Sequence, residues 1–84
     1  MEGKIAIQNL DKQFFAVELE NDTYAVFEVL DSCKIRLGNL ISGQLGDEGK
    51  FILNNDTTNK SFKAHIRKVN CDKTKAEDFL QSFL

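Results

Sequence analysis

A chain of 84 residues and 9.5 kDa holds one domain (residues 1–84) around one core, and a domain this small buries only about 60–65% of the surface its unfolded chain exposes. Hydrophobic residues at 42% and charged residues at 29% describe a globular protein, and the net charge of −2 gives no bulk attraction for nucleic acid. No apolar run approaches the roughly 18 residues of a membrane span, Met1-Glu2-Gly3-Lys4 lacks the character of a signal peptide, and two cysteines exclude a disulfide-dense scaffold.

Short alternating segments occupy most of the chain. Lys4 to Gln8 reads as a strand with Ile5 and Ile7 on one face, and Asn9 to Lys12 as a connection. Phe14 to Glu20 alternates again, with Phe15, Val17 and Leu19 on one face and Phe14, Ala16, Glu18 and Glu20 on the other. Asn21-Asp22 supplies a hairpin turn. In Thr23 to Leu30, Ala25, Phe27 and Val29 face inward, because the opposite parity would bury Glu28. Asp31 to Lys34 breaks the pattern with one short turn. Leu37 to Gly43 is a strand entered through a tight turn, Gly46 to Gly49 a loop, and Lys50 to Asn54 a short strand. In the last strand Phe62, Ala64 and Ile66 share one face, and Lys63, His65 and Arg67 the other.

The tail changes period. Thr74-Lys75-Ala76-Glu77 matches a capping box, and Ala76, Phe79, Leu80, Phe83 and Leu84 follow on one helical stripe. A helix over residues 73–84 is too short to stand alone in water, so its stripe must dock. The expected fold is therefore mainly β: a small barrel of five or six strands with a short C-terminal α-helix.

Gly3-Lys4-Ile5, Asn9, Lys12-Gln13-Phe14-Phe15-Ala16-Val17 and Val26-Phe27-Glu28-Val29-Leu30 follow one another at the spacing of a known family. Over Gly3 to Val69 the chain resembles a cold-shock domain, a five-stranded barrel of the OB-fold class. Two motif glycines are replaced, by Gln13 and Phe15. The resemblance implies an OB-like barrel that binds single-stranded RNA or DNA by stacking bases on exposed aromatics, with Lys12, Phe14 and Phe27 at the matching positions.

Charge is distributed unevenly: residues 1–59 carry net −5, residues 60–75 net +5 and residues 76–84 net −2. A basic last strand with Lys63, His65 and Arg67 on one face can track a phosphate backbone, or pair with acids of its own barrel. Cys33, Cys71 and His65 lack paired metal-ligand spacing, and no nucleophile motif or phosphate-cradling loop is present. The expectation is a non-catalytic binding module without cofactor or metal, cytoplasmic and free of membrane contact. Single-stranded nucleic acid is the first partner. The alternative is a protein partner or a homodimer met through Phe79, Leu80 and Phe83.

Overall fold

The computed structural model describes residues 1–81. Among these, six antiparallel strands, β1 (Glu2–Asn9), β2 (Phe14–Glu18), β3 (Tyr24–Val29), β4 (Leu40–Ser42), β5 (Gly49–Asn55) and β6 (Lys60–Cys71), close in the order β1-β2-β3-β6-β5-β4. A helix, α1 (Lys73–Gln81), follows directly. The strand count is the higher of the two that the sequence suggested.

The alternation in the sequence fills the barrel. Ile5, Phe15, Val17, Ala25, Phe27, Val29, Leu53, Phe62, Ala64 and Ile66 all point inward. The Phe27 ring lies 5.9 Å from Phe15 and 5.6 Å from Phe62, a run of aromatics through the middle. Two connections add one aliphatic plug each: Ile35 between β3 and β4, and Leu45 between β4 and β5, at opposite ends of the barrel.

A second apolar layer lies outside. Phe14, Ala16, Tyr24 and Val26, on the outer faces of β2 and β3, pack with Cys71 against Ala76 and Leu80 of α1. Strands buried on both faces read as continuous apolar runs, which is what Phe14–Val17 and Tyr24–Phe27 are. The helix docks because it cannot persist alone, and the barrel accepts it because β2 and β3 offer an apolar outer face.

Two local expectations are corrected and a third gains its geometry. Ile5 and Ile7 do not share a face: Ile5 pairs with Val17 and Ile7 with Ala16, so Ala6 is an extra, bulged residue that reverses the parity. Ile5 therefore enters the barrel and Ile7 packs beneath α1. The Asn21-Asp22 hairpin turn does join antiparallel β2 and β3, and it takes the form of a 3-10 turn over Glu20–Asp22 with Asp22 at φ 58°. The helix begins at Lys73, and its cap is Asp72, whose Oδ1 accepts the Lys75 amide at 2.8 Å. Thr74 is therefore inside the helix, and Glu77 reaches Lys73 Nζ at 4.0 Å instead of closing a capping box.

The connections at one end of the barrel are held by hydrogen bonds. Val29 N donates to Gln13 O at 3.0 Å, Leu30 N to Lys63 O at 2.9 Å, and Leu40 N to Thr57 Oγ1 at 2.9 Å. Asn39 and Asn55 are buried, and Asn55 Nδ2 donates to Asn39 Oδ1 at 2.9 Å. Asn55 Oδ1 in turn accepts from the Thr57 and Thr58 amides. Such a network is stabilising only when complete, and among the described residues no buried side-chain polar atom lacks a partner.

Candidate functional site

The site residues expected from the sequence separate into three environments. Phe27 is 0% exposed, inside the barrel, and cannot stack on a base. Phe14 lies on the outer face, as the parity reading expects, but it is only 5% exposed. Phe79 of α1 covers it, with ring centroids 6.2 Å apart and planes 17° from parallel. The Arg67 guanidinium stands 5.8 Å from the Phe14 centroid and bonds Glu28 Oε1 at 3.1 Å. That cation is engaged within its own barrel, as one of the sequence alternatives anticipated.

Lys12 is exposed on the turn between β1 and β2. Lys63 and His65 remain on the open outer face of β6, Lys63 exposed and His65 half-buried. For the partner surface first expected on the tail, Leu80 is 2% exposed and Phe79 is half-buried, both packed on the barrel; Phe83 lies outside the described residues.

What the sequence did not assemble is the contribution of β5. In register, Lys50 stands opposite His65 and Ile52 opposite Lys63. Cross-strand partners place their side chains on the same face, so Lys50 and Ile52 join the basic stripe. The His65 row continues through Glu28 of β3 to Phe14 of β2, passing from an exposed cation to an aromatic covered by the helix. The Lys63 row ends at Leu30, whose amide bonds the Lys63 carbonyl. Leu30 is 44% exposed and Ile52 is 58% exposed, one on each side of Lys63. Leu30, Lys50, Phe51, Ile52, Lys63 and Ala64 together line a shallow groove of about 220 Å³. The signal for it lay in the Lys50-Phe51-Ile52-Leu53 alternation, but only the register shows which partners that face has.

Backbone contacts hold the groove. Asp31 Oδ2 accepts the Lys63 amide at 2.9 Å, and Asp31 Oδ1 accepts the Cys33 amide at 3.0 Å. The hydrogen bond from Lys63, then that from Cys33, holds the Asp31 carboxyl below its usual range. A depressed folded-state pKa contributes stability above the unfolded value of 3.8, and that contribution is lost as pH falls through the folded value. Asp31→Asn should therefore show a shallower fall in melting temperature between pH 5 and the acid limit than the parent. Thermal scans across that range check it; parallel curves would mean that the carboxylate does not clamp β6.

The other titratable groups with a clear shift belong to the second layer. Burial, then the hydrogen bond its hydroxyl donates to Glu18 Oε2 at 3.0 Å, pushes the Tyr24 phenol up. Burial also pushes the Cys71 thiol up, and its Sγ donates to Tyr24 O at 3.3 Å. Both are packing groups. Among the described residues no three His, Cys, Asp or Glu side chains stand together as a metal site, and no helix is long and apolar enough to cross a membrane. Comparison of the chain with family models, curated proteins and solved structures gives no match.

Proposed function

We propose that this protein is a non-catalytic, OB-like binding module that meets a protein partner through the outer face of β5 and β6. The observation that carries the reading is the exposure of Leu30 and Ile52 on either side of Lys63, on a sheet face that no helix covers among the described residues. Ile52 stands between Lys50 and Asn54 in the outer row of β5 and leaves more than half of its surface in water, and exposed apolar groups gathered within polar rims mark interaction sites. The free thiols of Cys33 and Cys71 accord with a reducing, cytoplasmic setting.

Single-stranded RNA or DNA is the second reading, favoured by the alignment of Lys50, Lys63 and His65. It ranks second because such binding combines cations with stacking aromatics, and Phe14 and Phe27 are covered. One experiment separates the two. A photoreactive group at position 52 should crosslink a defined protein, and Leu30→Asp should abolish that crosslink. A product at twice the chain's own mass would identify the partner as a second copy. Titration with short single-stranded DNA and RNA should show at most weak association that moderate salt removes. If an oligonucleotide binds at moderate salt, and Lys50→Ala with Lys63→Ala lowers the slope of log affinity against log salt by roughly 1.4, the nucleic-acid reading replaces the first.

A further inference from the structure

We propose that the Leu30–Ile52 groove docks an acidic partner segment by one large apolar side chain, with Lys50 and Lys63 receiving carboxylates on either side of it. This rests on the reading of β5 and β6 as a protein-binding face and gives that partner a chemistry. Three observations support it.

The first is size. At about 220 Å³ the groove is smaller than the roughly 300–1,000 Å³ typical of small-molecule and cofactor sites, so its scale suits a side chain rather than a whole ligand. Its exposed apolar walls, Leu30 and Ile52, are aliphatic; Phe51, which also lines it, is half-buried, stands opposite inward-facing Ala64 and packs against the barrel interior. The groove therefore offers burial for an aliphatic or aromatic side chain but no outward aromatic platform for a series of bases.

The second is charge. Lys50 and Lys63 are exposed, and Glu28, the acid in the adjoining row, is bonded to Arg67. Asp31 faces the backbone amides of Lys63 and Cys33. Around the groove Lys50, Lys63 and Arg67 stand against Glu28 and Asp31, an excess of one positive charge in a protein whose net charge is −2, so carboxylates flanking the apolar anchor are the complementary chemistry.

The third is rigidity. Both backbone groups of Lys63 are engaged, its amide by Asp31 and its carbonyl by Leu30. Leu30 and Lys63 are thus fixed relative to one another, and Ile52 is set opposite Lys63 by the sheet. A preformed surface loses little freedom on binding.

The test is fluorescence anisotropy on the full chain with three labelled probes. One is a short peptide alternating Asp and Glu with Leu and Phe, the second is the same peptide with Ser at every apolar position, and the third is a single-stranded oligonucleotide of equal charge. The first peptide should bind measurably at low salt and the Ser peptide at least tenfold more weakly. Ile52→Ser should weaken the first peptide roughly tenfold, the equivalent of about 1.4 kcal/mol, with an unchanged melting curve. Lys50→Ala with Lys63→Ala should weaken it further and flatten its salt dependence. Equal binding of the two peptides overturns the apolar anchor, and absence of binding by either overturns the proposal outright. If both peptides fail while the position-52 crosslink still captures a protein, the partner chemistry is wrong and the binding face stands. If the oligonucleotide alone binds, and does so through Lys50 and Lys63, the protein reading falls as well.

Discussion

Alanine at Phe27 is expected to remove most of the protein's stability. The side chain is fully buried and packs between Phe15 and Phe62 in the barrel interior. Truncating a core phenylalanine costs about 3–5 kcal/mol, while a domain of this length has a total stability on the order of 5 kcal/mol or somewhat more. A denaturant titration followed by circular dichroism should show a population already unfolded in buffer. Lys63→Ala, which keeps the backbone bonds to Asp31 and Leu30, should leave the midpoint within about 0.5 kcal/mol of the parent. A Phe27→Ala protein that folds normally would place the ring outside the core and restore it as a ligand contact.

The second large effect falls on α1. Leu80 is 2% exposed within the outer apolar layer, and its carbonyl accepts a hydrogen bond from Asn9 Nδ2 at 2.9 Å. Leu80→Ala should cost about 3 kcal/mol, from lost burial and the cavity left against β2 and β3. Phe79→Ala, at a half-buried position over Phe14, should cost about half as much. Both changes should lower the melting temperature without altering the sedimentation mass. If Leu80→Ala leaves the melting curve unchanged and alters the mass, the helix is a partner surface instead of part of the monomer's packing.

The barrel was legible because most of its strands keep a period of two. Parity put Phe27 inside on the ground that Glu28 could not be, and Glu28 does point outward, to Arg67. The family resemblance assigned the same phenylalanine to a binding surface, since motif position says nothing about which face a strand buries. Parity failed at Ala6 because a bulge leaves no mark in an apolar and polar pattern as short as Lys4–Gln8. The helix is legible from its stripe. Its cap is not legible, because both Asp72 and Thr74 can serve and the choice depends on where β6 releases the chain at Cys71.

The binding face was half legible. Lys63, His65 and Arg67 share one strand, so their alternation is visible in sequence. Lys50 and Ile52 reach the same face only through pairing of β5 with β6, and Leu30 only through its hydrogen bond to Lys63. Burial of Phe14 was open for the same reason: the Phe14–Val17 run shows that both faces of β2 are apolar, but not that the C-terminal helix covers the outer one. Long-range register, more than local propensity, separates the candidate residues into core, helix seat and open face.

Binding is expected on the outer face of β5 and β6, away from the β2 face beneath the helix. Backbone amide spectra recorded during titration with the acidic, Leu- and Phe-bearing peptide test it most directly. Shift changes should centre on Leu30, Lys50, Ile52 and Lys63, with Phe14, Tyr24 and Thr74–Phe79 unmoved. Changes centred on Lys12 to Phe14 and on α1, with Ile52 and Lys63 silent, would contradict it.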